Sequence, residues 1–161
     1  MKYFHNLKIA TKLLISFAIV LSFCVLLGVF SIFQLAKVNE TATELNVNWM
    51  PSVEAVLMLK KDVLEFRVQE LQHILSNDDA ERTAVEKKQG EILARFEKTN
   101  EMYKKLISEP GEKVMYAEFS GLWEQYQMED FKILGLSRTG KRDEAMAAVR
   151  GKSSQLMMEI T

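Results

Sequence analysis

Between Lys12 and Lys37 the chain carries no charged residue, and the 24 intervening positions, 13–36, are mostly Leu, Ile, Val, Phe and Ala. A run of about 20 apolar residues in a helix spans the hydrocarbon core of a bilayer, so this one is long enough to cross with some tilt. A lone segment in lipid must satisfy its own backbone hydrogen bonds, which it does only as a helix. Lys2, Lys8 and Lys12 precede the run with no acidic residue among them, whereas Lys37, Glu40 and Glu44 follow it. Basic residues favour the cytoplasmic side. The expectation is a cytoplasmic N-terminus at 1–12, a transmembrane helix at 13–36 and an extracytoplasmic domain at 37–161. A cleaved signal peptide would have a shorter apolar core and a small-residue cut site. A lipoprotein modified at Cys24 would want a small residue where Phe23 stands, and the apolar run continues past Cys24.

Beyond the anchor, the chain reads as helix throughout. Seven glycines and two prolines are too few for a turn-rich β fold, and Leu, Glu, Lys, Ala and Met dominate. Three breaks divide the remainder: Ser76-Asn77-Asp78-Asp79, Pro110-Gly111 and Thr139-Gly140. Ahead of the first, Leu35, Val38, Ala42, Leu45, Trp49, Ser52, Val56, Leu59, Val63 and Phe66 recur at spacings of three and four, a seam that buries one stripe against neighbouring helices. Pro51 interrupts it and predicts a kink or bulge near Trp49-Met50-Pro51. A second segment, about 80–108, carries Val85, Gln89, Ile92, Phe96, Thr99, Tyr103 and Leu106 on one face, and Asp78 or Asp79 can cap its start. A third, about 112–137, carries Met115, Phe119, Leu122, Tyr126, Ile133 and Leu136; a fourth, from Lys141, carries Ala145, Val149, Leu156 and Ile160.

Short connections make consecutive helices antiparallel. The expected fold is all-α, an up-down-up-down four-helix bundle whose first helix continues from the transmembrane helix. The fourth segment has about half the length that its partners need at a rise of about 1.5 Å per residue, so the bundle is expected to be incomplete, with its fourth helix truncated.

The inventory excludes several function classes. A net charge of −1 provides no basic surface for nucleic acid. One cysteine and two distant histidines, His5 and His73, cannot form a His/Cys metal set or an intrachain disulfide. Haem between His73 and one of the nine methionines is disfavoured, because no C-x-x-C-H string occurs and methionine in bundles fills core gaps. No catalytic Ser-His-Asp or Cys-His set and no glycine-rich phosphate loop appears. Neither an enzyme nor a cofactor is expected.

Four strings occur in order: Asn6-Leu7-Lys8-Ile9-Ala10-Thr11-Lys12-Leu13, Asn48-Trp49-Met50-Pro51-Ser52-Val53, Glu70-Leu71-Gln72-His73-Ile74-Leu75-Ser76 and Gly140-Lys141-Arg142-Asp143-Glu144-Ala145. Together they resemble the N-terminal part of bacterial methyl-accepting chemotaxis proteins with a four-helix-bundle sensory module. The resemblance implies a dimeric sensor paired through its first helix, set in the bacterial inner membrane with its bundle in the periplasm. It implies a small-molecule ligand, an organic acid or an amino acid, and an output through segments beyond Thr161. The same module also precedes histidine kinases and nucleotide cyclases.

Receptors of this kind hold small carboxylates with cationic side chains, and Arg can supply two charge-assisted donors in a fork. Arg67, beside Val63 and Phe66, is the leading candidate; Lys60 shares its face. Tyr126, Arg138 and Arg142, with Lys132, can reach the same end of the bundle. The competing reading lays these long side chains over apolar surface with their heads in water. Asp62, Lys61, Glu65 and Glu70 read as a solvated face, Trp49 and Trp123 as packing anchors, and Thr99 and Tyr103 as core with local hydrogen bonds. The rival to a receptor is a membrane-anchored structural protein that uses its seam only for assembly.

Overall fold

The computed structural model describes residues 8–161. Asn6, Leu7 and most of the expected cytoplasmic segment lie outside the described residues. Every element is helical: α1 (Ile9–Glu44), a π-helical segment (Leu45–Trp49), α2 (Met50–Leu75), α3 (Asp79–Leu106), α4 (Pro110–Arg138), α5 (Arg142–Ala148), a second π segment (Val149–Ser153) and α6 (Ser154–Ile160). The chain divides into two compact units, one up to Val47 and one from Asn48 to Thr161.

In the first unit, α1 is long and apolar enough to cross a membrane, and none of its residues is buried. The seam positions Leu35, Val38 and Leu45 are accordingly exposed. At the start of the second unit, Pro51 occupies the first turn of α2, directly after the first π segment. Its ring would collide with the carbonyl four residues back in a regular helix, and a widened turn relieves that collision. The predicted bulge is therefore present, centred a few residues ahead of the proline.

In the second unit the breaks fall where the sequence put them, each with a local cause. Asp78 caps α3, its Oδ1 accepting from the Glu81 N–H at 2.8 Å, while the Glu81 carboxylate accepts from the Asn77 N–H at 2.8 Å. This reciprocal pairing satisfies two otherwise orphaned donors. Pro110 opens α4, where a missing N–H costs nothing. At the far end of α4, Gly140 takes φ 77°, the Gly140 N–H donates to the Ser137 carbonyl at 3.1 Å, and the Lys141 N–H donates to the Leu136 carbonyl at 3.0 Å. That pair of bonds is a Schellman C-cap.

α2 packs along α3, α4 packs along the α5–α6 helix, and α2 meets α4 across the core, closing an antiparallel four-helix bundle. The fourth helix is not continuous: its π segment contains Gly151 in a non-helical conformation (φ −89°, ψ −114°), a break the periodicity did not reveal. The larger of two apolar clusters joins Ala55, Leu59, Val63, Phe66, Ile92, Phe96, Tyr103, Trp123, Tyr126 and Leu156. Its centre is aromatic: Trp123 stacks on Tyr126 with ring centroids 5.6 Å apart and meets Phe96 at 4.8 Å and Phe66 at 5.4 Å. The smaller cluster, Ile74, Ile133, Ala145 and Val149, lies toward the Asn77 and Gly140 turns.

Two expectations are corrected here. Trp49 is 53% exposed and anchors nothing in the single chain, whereas Trp123 is core. Asp62 and Glu70 are not on a solvated face: Asp62 is buried and Glu70 has no exposed surface. Arg95 of α3 explains the first, since its Nε donates to Asp62 Oδ1 at 2.8 Å and its fork also reaches Glu65. Thr99 and Tyr103 are core, with Thr99 Oγ1 donating to the Arg95 carbonyl at 3.1 Å and Tyr103 to Glu112 at 2.9 Å.

Candidate functional site

Between the two apolar clusters lies a layer of buried polar side chains. α2 contributes Arg67, Glu70 and His73 at i, i+3 and i+6, the spacing that puts three residues on one helix face. Glu70 accepts from Arg67 at 3.2 Å, from Ser153 Oγ at 3.1 Å and from the Tyr126 hydroxyl. Arg67 also donates to Ser153 Oγ and, at 3.1 Å, to the Val149 carbonyl. That carbonyl lies in the π segment, where the widened turn presents backbone acceptors to a side chain. Burial is the largest single influence and opposes the Arg67 charge, but the charges and hydrogen bonds of Glu70 and Tyr126 together outweigh it and raise the guanidinium above its ordinary value. Burial, then the same carboxylate, push the Tyr126 phenol well up, so it stays a donor.

One turn further along, His73 is fully buried and both ring nitrogens face oxygens. Nδ1 lies 2.9 Å from Ser137 Oγ, and Nε2 lies 2.9 Å from Glu86 Oε1. Glu86 is also held by the fork of Arg138, with Nε donating at 2.7 Å. Those Arg138 hydrogen bonds, against some desolvation, keep the Glu86 carboxyl below the usual range.

Toward the α3–α4 side the layer opens into a cleft of about 490 Å³ lined by Phe66, Glu86, Gln89, Asp130, Leu134 and Arg138, among others. Gly90 and Gly135 lie on its two walls, with nothing within 4 Å of where a side chain would begin. Asp130 is only 4% exposed and accepts from Gln89 Nε2 at 3.3 Å. Burial first, and the Glu70 charge second, push its carboxyl up to about 8.

A family model described as a four-helix-bundle sensory module for signal transduction matches residues 6–161. The chain belongs to that family. No curated protein and no solved structure matches it. The sensory module thus acts in signal transduction, in a family that is typically membrane-associated, and it carries one apolar helix near its N-terminus.

The residues offered by the sequence are distributed unevenly over the module. Arg67 and Tyr126 converge on Glu70, and Arg138 joins the same end of the bundle through Glu86. Lys60 stands apart, donating to the Thr161 carbonyl at 3.0 Å beside a separate, mostly apolar groove that includes Tyr103, Met115 and Ile160. Arg142 is exposed at the first residue of α5. Lys132 pairs with Glu129 at 3.0 Å. Sequence reasoning placed Gln89 on the inward stripe of its helix but missed Glu70, His73, Asp130, Ser137 and Ser153 as members of the layer. A usable signal existed: Asp62, Gln69, Glu70 and His73 fall at helical spacings among the buried positions Leu59, Val63, Phe66 and Ile74. Among the described residues no group of three or more His, Cys, Asp and Glu is arranged to hold a metal ion.

Proposed function

We propose that this module is the extracytoplasmic sensing half of a bacterial chemoreceptor. In this reading α1 sits in the inner membrane with the N-terminus in the cytoplasm, and the bundle detects a small molecule in the periplasm. Two copies pair through the first long helix. The family match over residues 6–161 carries the reading, and the apolar, unburied α1 supports the membrane part. An outward stripe of exposed apolar residues on α2, Val53, Leu57, Leu64, Val68 and Leu75, supports pairing. The polar layer gives such a sensor a place where a ligand's charge is felt by several helices at once.

An organic acid bound by Arg67 or Arg138 would have to displace Glu70 or Glu86, which already engage those guanidinium groups. The test is therefore a thermal-shift screen of the full chain in detergent against organic acids, amino acids and amines. A ligand that binds only the folded state at about 100 times its Kd adds about 2.7 kcal/mol, a shift of several degrees. Such a shift with one class supports the sensor. A folded, dimeric protein that responds to none would point to an assembly role instead.

A further inference from the structure

The α3–α4 cleft has a chemistry of its own. We propose that it binds a small organic cation, an ammonium group seated on the Asp130 carboxylate and an apolar body lying against Phe66, Leu93 and Leu134. This rests on the sensory reading and names the ligand class for it.

Four observations carry the assignment. The first is shape: a cleft of about 490 Å³ between two helices falls within the usual size of small-molecule sites. It is held open where Gly90 and Gly135 place no side chain on its walls.

The second is the anchor. Asp130 is nine-tenths buried and lines the cleft; its Oδ1 accepts from Gln89, and no ion pair to a cationic side chain is made by it among the described residues. Burial makes the ionised form of such a carboxyl costly, so it keeps its proton unless a cation reaches it.

The third is the sign of the surroundings. The charged and polar groups that act on Asp130 or line the cleft with it are Arg67 and Glu70 on α2, Glu86 and Gln89 on α3, and Arg138 on α4. Both arginines are ion-paired, Arg67 to Glu70 and Arg138 to Glu86. An incoming carboxylate would meet Asp130 and Glu86 with no unengaged guanidinium to offset them. An incoming ammonium would cancel the one carboxyl in the cleft that has no cationic partner.

The fourth is the apolar lining. Phe66, Leu93, Phe131 and Leu134 supply the surface for a hydrocarbon or aromatic body, and an aromatic face also attracts an ammonium.

Because burial and the Glu70 charge hold Asp130 protonated near neutral pH, cation binding expels that proton to solvent. A negative charge then appears beside Glu70, whose partners Arg67 and Ser153 tie α2 to the π segment of the fourth helix. Occupancy of the cleft is thereby coupled electrostatically to the contacts of that helix.

The test uses the full chain in lipid nanodiscs at pH 7, titrated calorimetrically with benzylamine and 2-phenylethylamine. Benzyl alcohol and benzoate serve as neutral and anionic counterparts, and two buffers of different ionisation heat count protons. The amines are expected to bind with release of about one proton each. Binding is expected to weaken about tenfold or more in Asp130→Asn, which keeps the shape of the side chain and the acceptor for Gln89. Gly135→Leu, which fills the cleft from an open position, is expected to block binding with the melting transition intact. Amine binding unchanged in both variants, or benzoate binding tighter than either amine, overturns the proposal. If the amines fail while another class shifts the melting temperature, the cleft assignment falls and the sensory reading stands. If no class shifts it, both fall.

Discussion

Glu70 has no exposed surface and accepts from α2, α4 and the fourth helix at once, through Arg67, Tyr126 and Ser153. A buried ion pair contributes little compared with a well-packed apolar pair, but removing one partner strands the other charge. Glu70→Gln is therefore expected to destabilise the bundle by about 3 kcal/mol, read by chemical denaturation, because Arg67 remains cationic and mostly buried. Adding Arg67→Met should recover part of that loss; a strictly additive double variant would show that the pair is not coupled. Asp130 makes the opposite kind of statement. Its carboxyl is raised in the folded state to about 8 from an ordinary value of 3.8. Between these values the folded state holds a proton that the unfolded chain releases, so stability falls as pH rises from about 4 to about 8 and levels off above. Glu86, held low by Arg138, contributes in the other sense, losing its stabilisation as pH falls below the usual carboxylate range. Denaturation midpoints measured across this range should slope downward in the parent, with a shallower slope in Asp130→Asn. Equal slopes would mean that Asp130 is ionised in the folded protein.

At the scale of elements, two glycines predict opposite outcomes for one substitution. Gly140 sits at φ 77° in the C-cap of α4, where a Cβ is strained, so Gly140→Ala should cost about 1 kcal/mol. Gly121 lies inside α4 with nothing within 4 Å of the point where a side chain would begin, so Gly121→Ala should add about 0.5–1 kcal/mol. Thermal melts of the two variants test the assignment directly, and a shared sign would contradict the capping geometry. These elements were largely readable in advance. Caps and breakers are local chemistry: Asp78 with Glu81, Pro110 and Gly140 each act within one turn, and the inward stripe of α3 follows from its period alone. The second π segment was not readable, because what steadies it is Arg67 reaching the Val149 carbonyl from 82 residues away. The candidate site divides in the same manner. Arg67 and Tyr126 were visible as a cation and a phenol beside apolar stripes. Glu70 and Asp130 were not, since a carboxylate is ordinarily solvated and only partners on other helices make its burial tolerable.

For the molecule as a whole, the outer face of α2 is the feature that a single chain leaves unexplained. Val53, Leu57, Leu64, Val68 and Leu75 recur there at spacings of four and seven, all exposed, interrupted by Lys60 and Lys61. In the proposed two-fold pairing, a second helix covers this stripe on the outside of the bundle. The inward face of the same helix is already used by α3 and α4, so pairing and core packing draw on different residues. They should therefore separate by mutation. Leu64→Lys with Val68→Lys, in the full chain in detergent, is expected to weaken the proposed dimer about tenfold or more by sedimentation, since two desolvated cations replace two apolar contacts in each copy. Helical content and the midpoint of monomer unfolding should change little, because neither side chain is buried in the bundle. If the dimer persists undiminished, α2 is not the seam. The exposed apolar residues of α1 would then be the next pairing surface to examine, by the same substitution of outward positions one helical turn apart.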